Sequence, residues 1–270
     1  MSIGLSLPRL IDRWSWTRAG RALKRPHVLA VVFIGLVGLT PTLEAQNSGK
    51  GFLFNRPVGS FTLRGGYAMP TAGSDVFSDA TSLLTLDKSD FNAFAFGGDI
   101  SYSTSARTDL VFDGEVSSSK AGSEFRDWVD NNRQPIEQDT KFKRIPLTIG
   151  LKYYLTDRGR AVSQFAYIPS RYAPYVTVGG GAMYYRFEQS GDFVDFQTLD
   201  VRSLTVESSG WTPMANGALG MDYSINQWVA LTGEGRYVWA KAKLNPNDFE
   251  GYEKIDLSGF TGSLGFKVRF

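Results

Sequence analysis

Residues 258–270 read SGFTGSLGFKVRF, and their period decides the class of fold. Phe260, Gly262, Leu264, Phe266, Val268 and Phe270 fall on every second position, with Gly259, Thr261, Ser263, Gly265, Lys267 and Arg269 between them. Side chains along a strand alternate between two faces, so this segment has one apolar face and one polar, basic face. A helix of 3.6 residues per turn would mix the two sets.

The same alternation recurs upstream in VGSFTLRGGYA (58–68), FNAFAFGGDISY (91–102), TDLVFDGEVS (108–117), KFKRIPLTIGLKYYL (141–155), WTPMANGALGMDYS (211–224) and WVALTGEGRYVWA (228–240). In the fourth, Ile145, Leu147, Ile149, Leu151, Tyr153 and Leu155 oppose Arg144, Pro146, Thr148, Gly150 and Lys152. APYVTVGGGAMYYRF (173–187) has clear sheet character, but it is apolar or small on both faces, which leaves its orientation open.

The amino terminus reads as an address rather than as part of this sheet. Arg9, Arg13, Arg18, Arg21, Lys24 and Arg25 precede the apolar run Val28–Leu39, which is short for a membrane-spanning helix of ~20 residues and suits a signal peptide. Pro41 and the small residue Ala45 place cleavage after 45, so residues 1–45 are expected to be removed, with 46–57 a periplasmic lead-in to a barrel at 58–270. The segment carries six basic and two acidic residues, so its loss takes the formal charge from +2 to −2 and removes any basic case for nucleic acid. His27 is the sole histidine and there is no cysteine. A mature chain without either has no histidine base, no serine or cysteine triad, no ordinary zinc site and no disulfide.

Alternating segments also build soluble sandwiches and lipocalin-type barrels, in which the apolar face turns inward. Three features favour the inverted arrangement. Long connections (69–90, 118–140, 188–210, 241–254) alternate with short ones (103–107, 225–227), apart from 156–172, as loops and turns do in outer-membrane barrels. Aromatic residues fall at both ends of the strands: Tyr67, Tyr237 and Trp239 at the loop ends, Tyr102, Tyr153, Tyr223 and Phe270 at the turn ends. The polar faces carry a balanced set of charges, Arg64, Lys152, Arg236, Lys267 and Arg269 against Asp99, Asp113, Glu115, Asp222 and Glu234. An eight-stranded interior is only wide enough for side chains, so such charges are expected to pair within it. The expected fold is therefore all-β: an eight-stranded antiparallel up-and-down transmembrane β-barrel.

On RIPLTIGLKYYL (144–155), APYVTVGGGAMYY (173–185) and LGFKVRF (264–270), the chain resembles the small eight-stranded outer-membrane barrels, the OmpA-type transmembrane domain and its relatives. The resemblance implies an outer-membrane location. It also implies that Leu264, Phe266, Val268 and Phe270 serve as a signal to the barrel-assembly machinery, with outer-membrane lipid as the surroundings. No peptidoglycan-binding domain of the kind that follows the barrel in OmpA itself is expected after Phe270.

A structural or surface-interaction role follows from this reading, with the long loops meeting an extracellular partner of unknown identity, the lumen ion-paired without a wide pore, and the protein a monomer. The alternative is a conduit for small hydrophobic molecules, resembling OmpW-type barrels, with Gly179, Gly180 and Gly181 leaving room for a pocket or lateral opening. In the first loop, Val76, Phe77, Ala80, Leu83 and Leu84 stand at helical spacing and suggest an amphipathic lid. Asp75, Asp79, Asp87 and Asp90 lack the spacing of a calcium loop. No catalytic, cofactor or metal residue is assigned, and no enzyme activity is expected.

Overall fold

The computed structural model describes residues 52–130, 133–163, 165–194, 200–249, 251–252 and 254–270. The expected signal segment 1–45 and the first part of the lead-in, 46–51, lie outside the described residues. The strands are β1 (Gly59–Pro70), β2 (Ala93–Ser103), β3 (Thr108–Val129), β4 (Pro135–Tyr154), β5 (Gly159–Ser163), β6 (Ala166–Pro169), β7 (Tyr172–Val194), β8 (Val201–Ser224), β9 (Val229–Lys243), β10 (Lys254–Asp256) and β11 (Gly259–Arg269). A helix, α1 (Asp75–Leu83), and a 3-10 turn (Lys88–Phe91) lie between β1 and β2.

All pairings are antiparallel, and eight strands close a ring in the order β1, β2, β3, β4, β7, β8, β9, β11. Opposed residues can be followed once round it: Ser60, Ser101, Val111, Gly150, Gly179, Asn216, Val238, Gly259, and back to β1 at Pro70. The return point lies ten residues beyond the start, which means the strands are staggered. With ~3.3 Å per residue and ~4.8 Å between strands, this stagger tilts them by about 40° to the barrel axis and leaves an interior only as wide as its side chains.

The apolar faces turn outward. Phe94 is 73% exposed and Leu264 76%, and Phe96, Ile149, Val178, Leu219 and Phe266 are exposed with them. This inversion has its physical sense where lipid replaces water, because a closed antiparallel sheet satisfies every backbone group internally. Aromatic pairs border the belt: Tyr184 against Trp211 (5.5 Å) and Tyr237 against Trp239 (4.9 Å) at the loop end, and Tyr172 against Tyr223 (5.3 Å) at the turn end.

Two of the segments expected as long loops, 118–140 and 188–210, are largely strand. β3 and β4 remain paired out to Glu124 and Glu137, and β7 and β8 out to Val194 and Val201. A hairpin that leaves the membrane can keep satisfying its own backbone groups, so pairing continues beyond the apolar belt. The connection 156–172 holds a small separate hairpin, β5 with β6, and Leu53 bridges to its Tyr167.

Pairing also orients β7. Tyr175, Met183, Tyr185 and Phe187 are buried inside, while Val178 points out. A Cβ on Gly181 would run into the Leu147 carbonyl oxygen, and one on Gly179 would lie 2.7 Å from Asn216 Oδ1. Gly179 and Gly181 therefore allow close approach of neighbouring strands and side chains.

Candidate functional site

The distinctive chemistry of the molecule lies in its interior, which is filled in three tiers. Nine of the ten lumen residues expected from alternation (Arg64, Asp99, Asp113, Glu115, Lys152, Asp222, Glu234, Arg236 and Lys267) are buried.

In the middle tier Arg64 donates to Asp99 at 2.8 Å and also meets Asp113. Arg236 reaches across to Asp113, with its Nη2 3.1 Å from Oδ2, and holds Glu234 at 2.7 Å. Tyr175 Oη donates to Glu234 at 2.9 Å, and Thr62 Oγ1 donates to Asp99 at 3.2 Å. Lys152 stands 4.0 Å from Asp99 and 4.4 Å from the centre of the Tyr175 ring. Each carboxylate here is a hydrogen-bond acceptor for a buried cation, an arrangement that offsets the cost of removing both from water. An internal void beside Asp99, Asn216 and Arg236 amounts to ≈ 10 Å³, about the size of one water.

At the turn end, Lys267 pairs with Asp222, and the Tyr154 hydroxyl donates to the same carboxylate at 3.1 Å. Arg158, just before β5, folds up into the opening. It donates to Asp109 (2.6 Å), Ser103 Oγ (3.1 Å) and the Ser105 carbonyl (2.8 Å), and its guanidinium lies 4.8 Å from the Tyr154 ring centre. Arg269 departs from the expected pairing. It is half-buried and donates to Ser224 Oγ at 2.8 Å, because the last residue of β11 lies beyond the carboxylate that Lys267 has taken.

At the loop end the filling is apolar. Val76, Phe77 and Ala80 of α1 are buried, and Phe77 packs edge-on against Phe91 (4.8 Å), Phe142 (5.3 Å) and Phe187 (5.5 Å). Leu84, Leu86, Phe249, Ile255 and Leu257 extend this cluster across the mouth. Tyr252 Oη donates to Asp79 at 2.7 Å and ties the fourth connection to the helix; burial, followed by this hydrogen bond, raises the Tyr252 phenol well above its ordinary range. Asp90 accepts from the Asp87 amide in a capping box, so Asp90, like Asp79, has a structural partner. Among the described residues, no group of three or more His, Cys, Asp or Glu is gathered for a metal ion.

Alternation did not lead to several members of the site. Arg144 lay on the correct face but outside the charge inventory; it is buried and donates to the Leu257 carbonyl at 3.0 Å. Glu115, which alternation did assign to the lumen, departs from the expected ion pairing: it accepts from Thr261 at 3.3 Å and, among the described residues, has no cation within 4.0 Å. Arg158 comes from a connection with no alternating pattern, so no periodic signal marks it.

No family model and no curated protein matches the chain. Solved structures to which it is similar include OprG from Pseudomonas aeruginosa (18% identity, 81% of this chain and 99% of that one, TM-score 0.42). Neisserial surface protein A (13%, 78% and 96%, TM-score 0.41) and Ail of Yersinia pestis (16%, 78% and 99%, TM-score 0.39) are two others. With overlaps this loose, only the geometry of this chain bears on its class. A closed antiparallel ring, an apolar outer belt and a charge-paired interior make the chain a small eight-stranded transmembrane β-barrel.

Proposed function

We propose that the protein is an integral outer-membrane barrel that acts through its loop-end surface as a structural or interaction element, without conducting solutes and without catalysis. The observation that carries this reading is the filling of the lumen: the Arg64, Asp113 and Arg236 network spans it, with the apolar cap of α1 above and Arg158 below. Planar-bilayer recording tests it. The folded barrel should give no stable single-channel steps, and reproducible steps from heat-modifiable, correctly folded protein would overturn the proposal.

A second reading, passage of small hydrophobic molecules through the wall, rests on one feature. β8 parts from β9 above the pair Met214 and Ala240, and Pro213, Ala215 and Trp239 line the groove left there. Cysteines at 213 and 241, two outward-facing positions that stand opposite each other when the Met214–Ala240 register is continued, would abolish such passage in vesicles once oxidised to lock the strands together. Unchanged uptake in the locked barrel would exclude this route.

A further inference from the structure

Above the aromatic border, the outward face of the barrel becomes basic. On β4, Lys143 and Lys141 follow Ile145 at alternate positions; on β7, Arg186 follows Tyr184; on β9, Lys241 and Lys243 follow Trp239. Strand pairing then places cations directly opposite cations three times: Lys120 opposite Lys141, Lys143 opposite Arg186, and Lys243 opposite Lys254. Like charges directly opposed across a pair of strands destabilise the sheet.

Neighbouring carboxylates relieve only part of this repulsion. Lys120 has Asp139 at 3.0 Å, Lys141 has Glu188 at 2.9 Å, and Arg186 has Glu188 at 2.7 Å and Glu207 at 2.9 Å. Among the described residues, Lys143, Lys243 and Lys254 have no carboxylate within 4.0 Å. Tyr184, Trp211, Tyr237 and Trp239 mark the interface depth, because tyrosine and tryptophan collect at headgroup level. The cations lie one or two outward positions beyond those rings and project sideways, along the bilayer surface.

We propose that this basic collar binds the phosphate groups of anionic lipids in the leaflet on the loop side, one phosphate bridging each opposed pair of cations. The collar rests on the membrane-spanning reading, whose failure would appear separately as a barrel that does not insert. An anion shared by two opposed cations turns repulsion into two charge-assisted hydrogen bonds. A soluble anionic partner would approach the tips of the hairpins, whereas these side chains lie against the bilayer.

The test is electron spin resonance on the barrel in phosphatidylcholine bilayers holding trace nitroxide-labelled phosphatidylglycerol or labelled phosphatidylcholine. The wild-type protein should restrict the anionic label over the zwitterionic one by about two- to fourfold, and added salt should erode the excess. The triple variant K143Q/K243Q/K254Q should restrict both labels alike while keeping its heat-dependent gel shift. Equal restriction by the wild type, or an excess that survives in the folded variant, would overturn the proposal. So would inorganic phosphate abolishing the excess when chloride at equal ionic strength does not, since the site would then serve a free anion. The wild-type comparison alone carries the test should the variant not fold.

Discussion

Arg236 on β9 and Asp113 on β3 hydrogen-bond at 3.1 Å, although β11, β1 and β2 stand between their strands around the ring. The bond crosses the barrel, and Arg64 completes it from β1. At this height the interior is an ion-paired core that holds opposite walls together.

Removing Asp113 leaves two buried guanidinium groups facing one another, each held by a single remaining carboxylate, Arg64 by Asp99 and Arg236 by Glu234. Asp113→Ala should cost about 3–5 kcal/mol, and Arg236→Met at least as much, because it leaves the Glu234 carboxylate buried without its cation. The double variant should cost less than the sum of the two by at least about 1 kcal/mol. Urea unfolding in lipid vesicles measures all three, and strict additivity would show that the bond carries no coupling.

Phe77 is fully buried among Phe91, Phe142 and Phe187, on the helix that caps the loop end of the barrel. Truncation to alanine should cost the cap about 3–5 kcal/mol while leaving the strands paired. The expected outcome is faster proteolysis within 71–92 from a barrel whose heat-dependent gel mobility is unchanged. Equal protection of the loop would place the holding energy elsewhere.

Tyr252 connects pH to the same cap. The folded state holds its proton more tightly than the unfolded chain does, through burial and the hydrogen bond to Asp79. That stabilisation is complete below the ordinary phenol pKa of about 10 and is lost as pH rises beyond it. Hydrogen exchange in 75–84 should accelerate above this pH in the wild type. In Tyr252→Phe the extra acceleration should vanish, and an identical pH profile in the two proteins would contradict the assignment.

The glycine-rich stretch of β7 offers a comparison of neighbours. Gly181→Ala drives a Cβ into the Leu147 carbonyl, whereas Gly180→Ala meets nothing nearer than 3.3 Å. The first should reduce the yield of folded barrel several-fold, and the second should change it little. Similar yields would mean that the strands spread freely and that the close approach is not required.

Alternation by itself determined that this chain is a set of strands with an apolar and a charged face, because period two has no other regular solution. It also assigned most of the interior: once the apolar face turns outward, residues such as Arg64, Asp99 and Lys267 have only the lumen to enter. The helical spacing of Val76, Phe77 and Ala80 was legible for the same local reason.

Only the tertiary structure could decide what depends on stagger and closure. β7, apolar on both faces, was oriented by its pairing with β4 and β8; the contact of Arg236 with Asp113 depends on the ten-residue stagger that brings them to one height. Arg158 enters the lumen from a connection with no periodic signal, and the basic collar appears only when register sets cation against cation. A strand's period fixes which side a residue faces, while the height at which it meets a partner is set by every strand in the ring together.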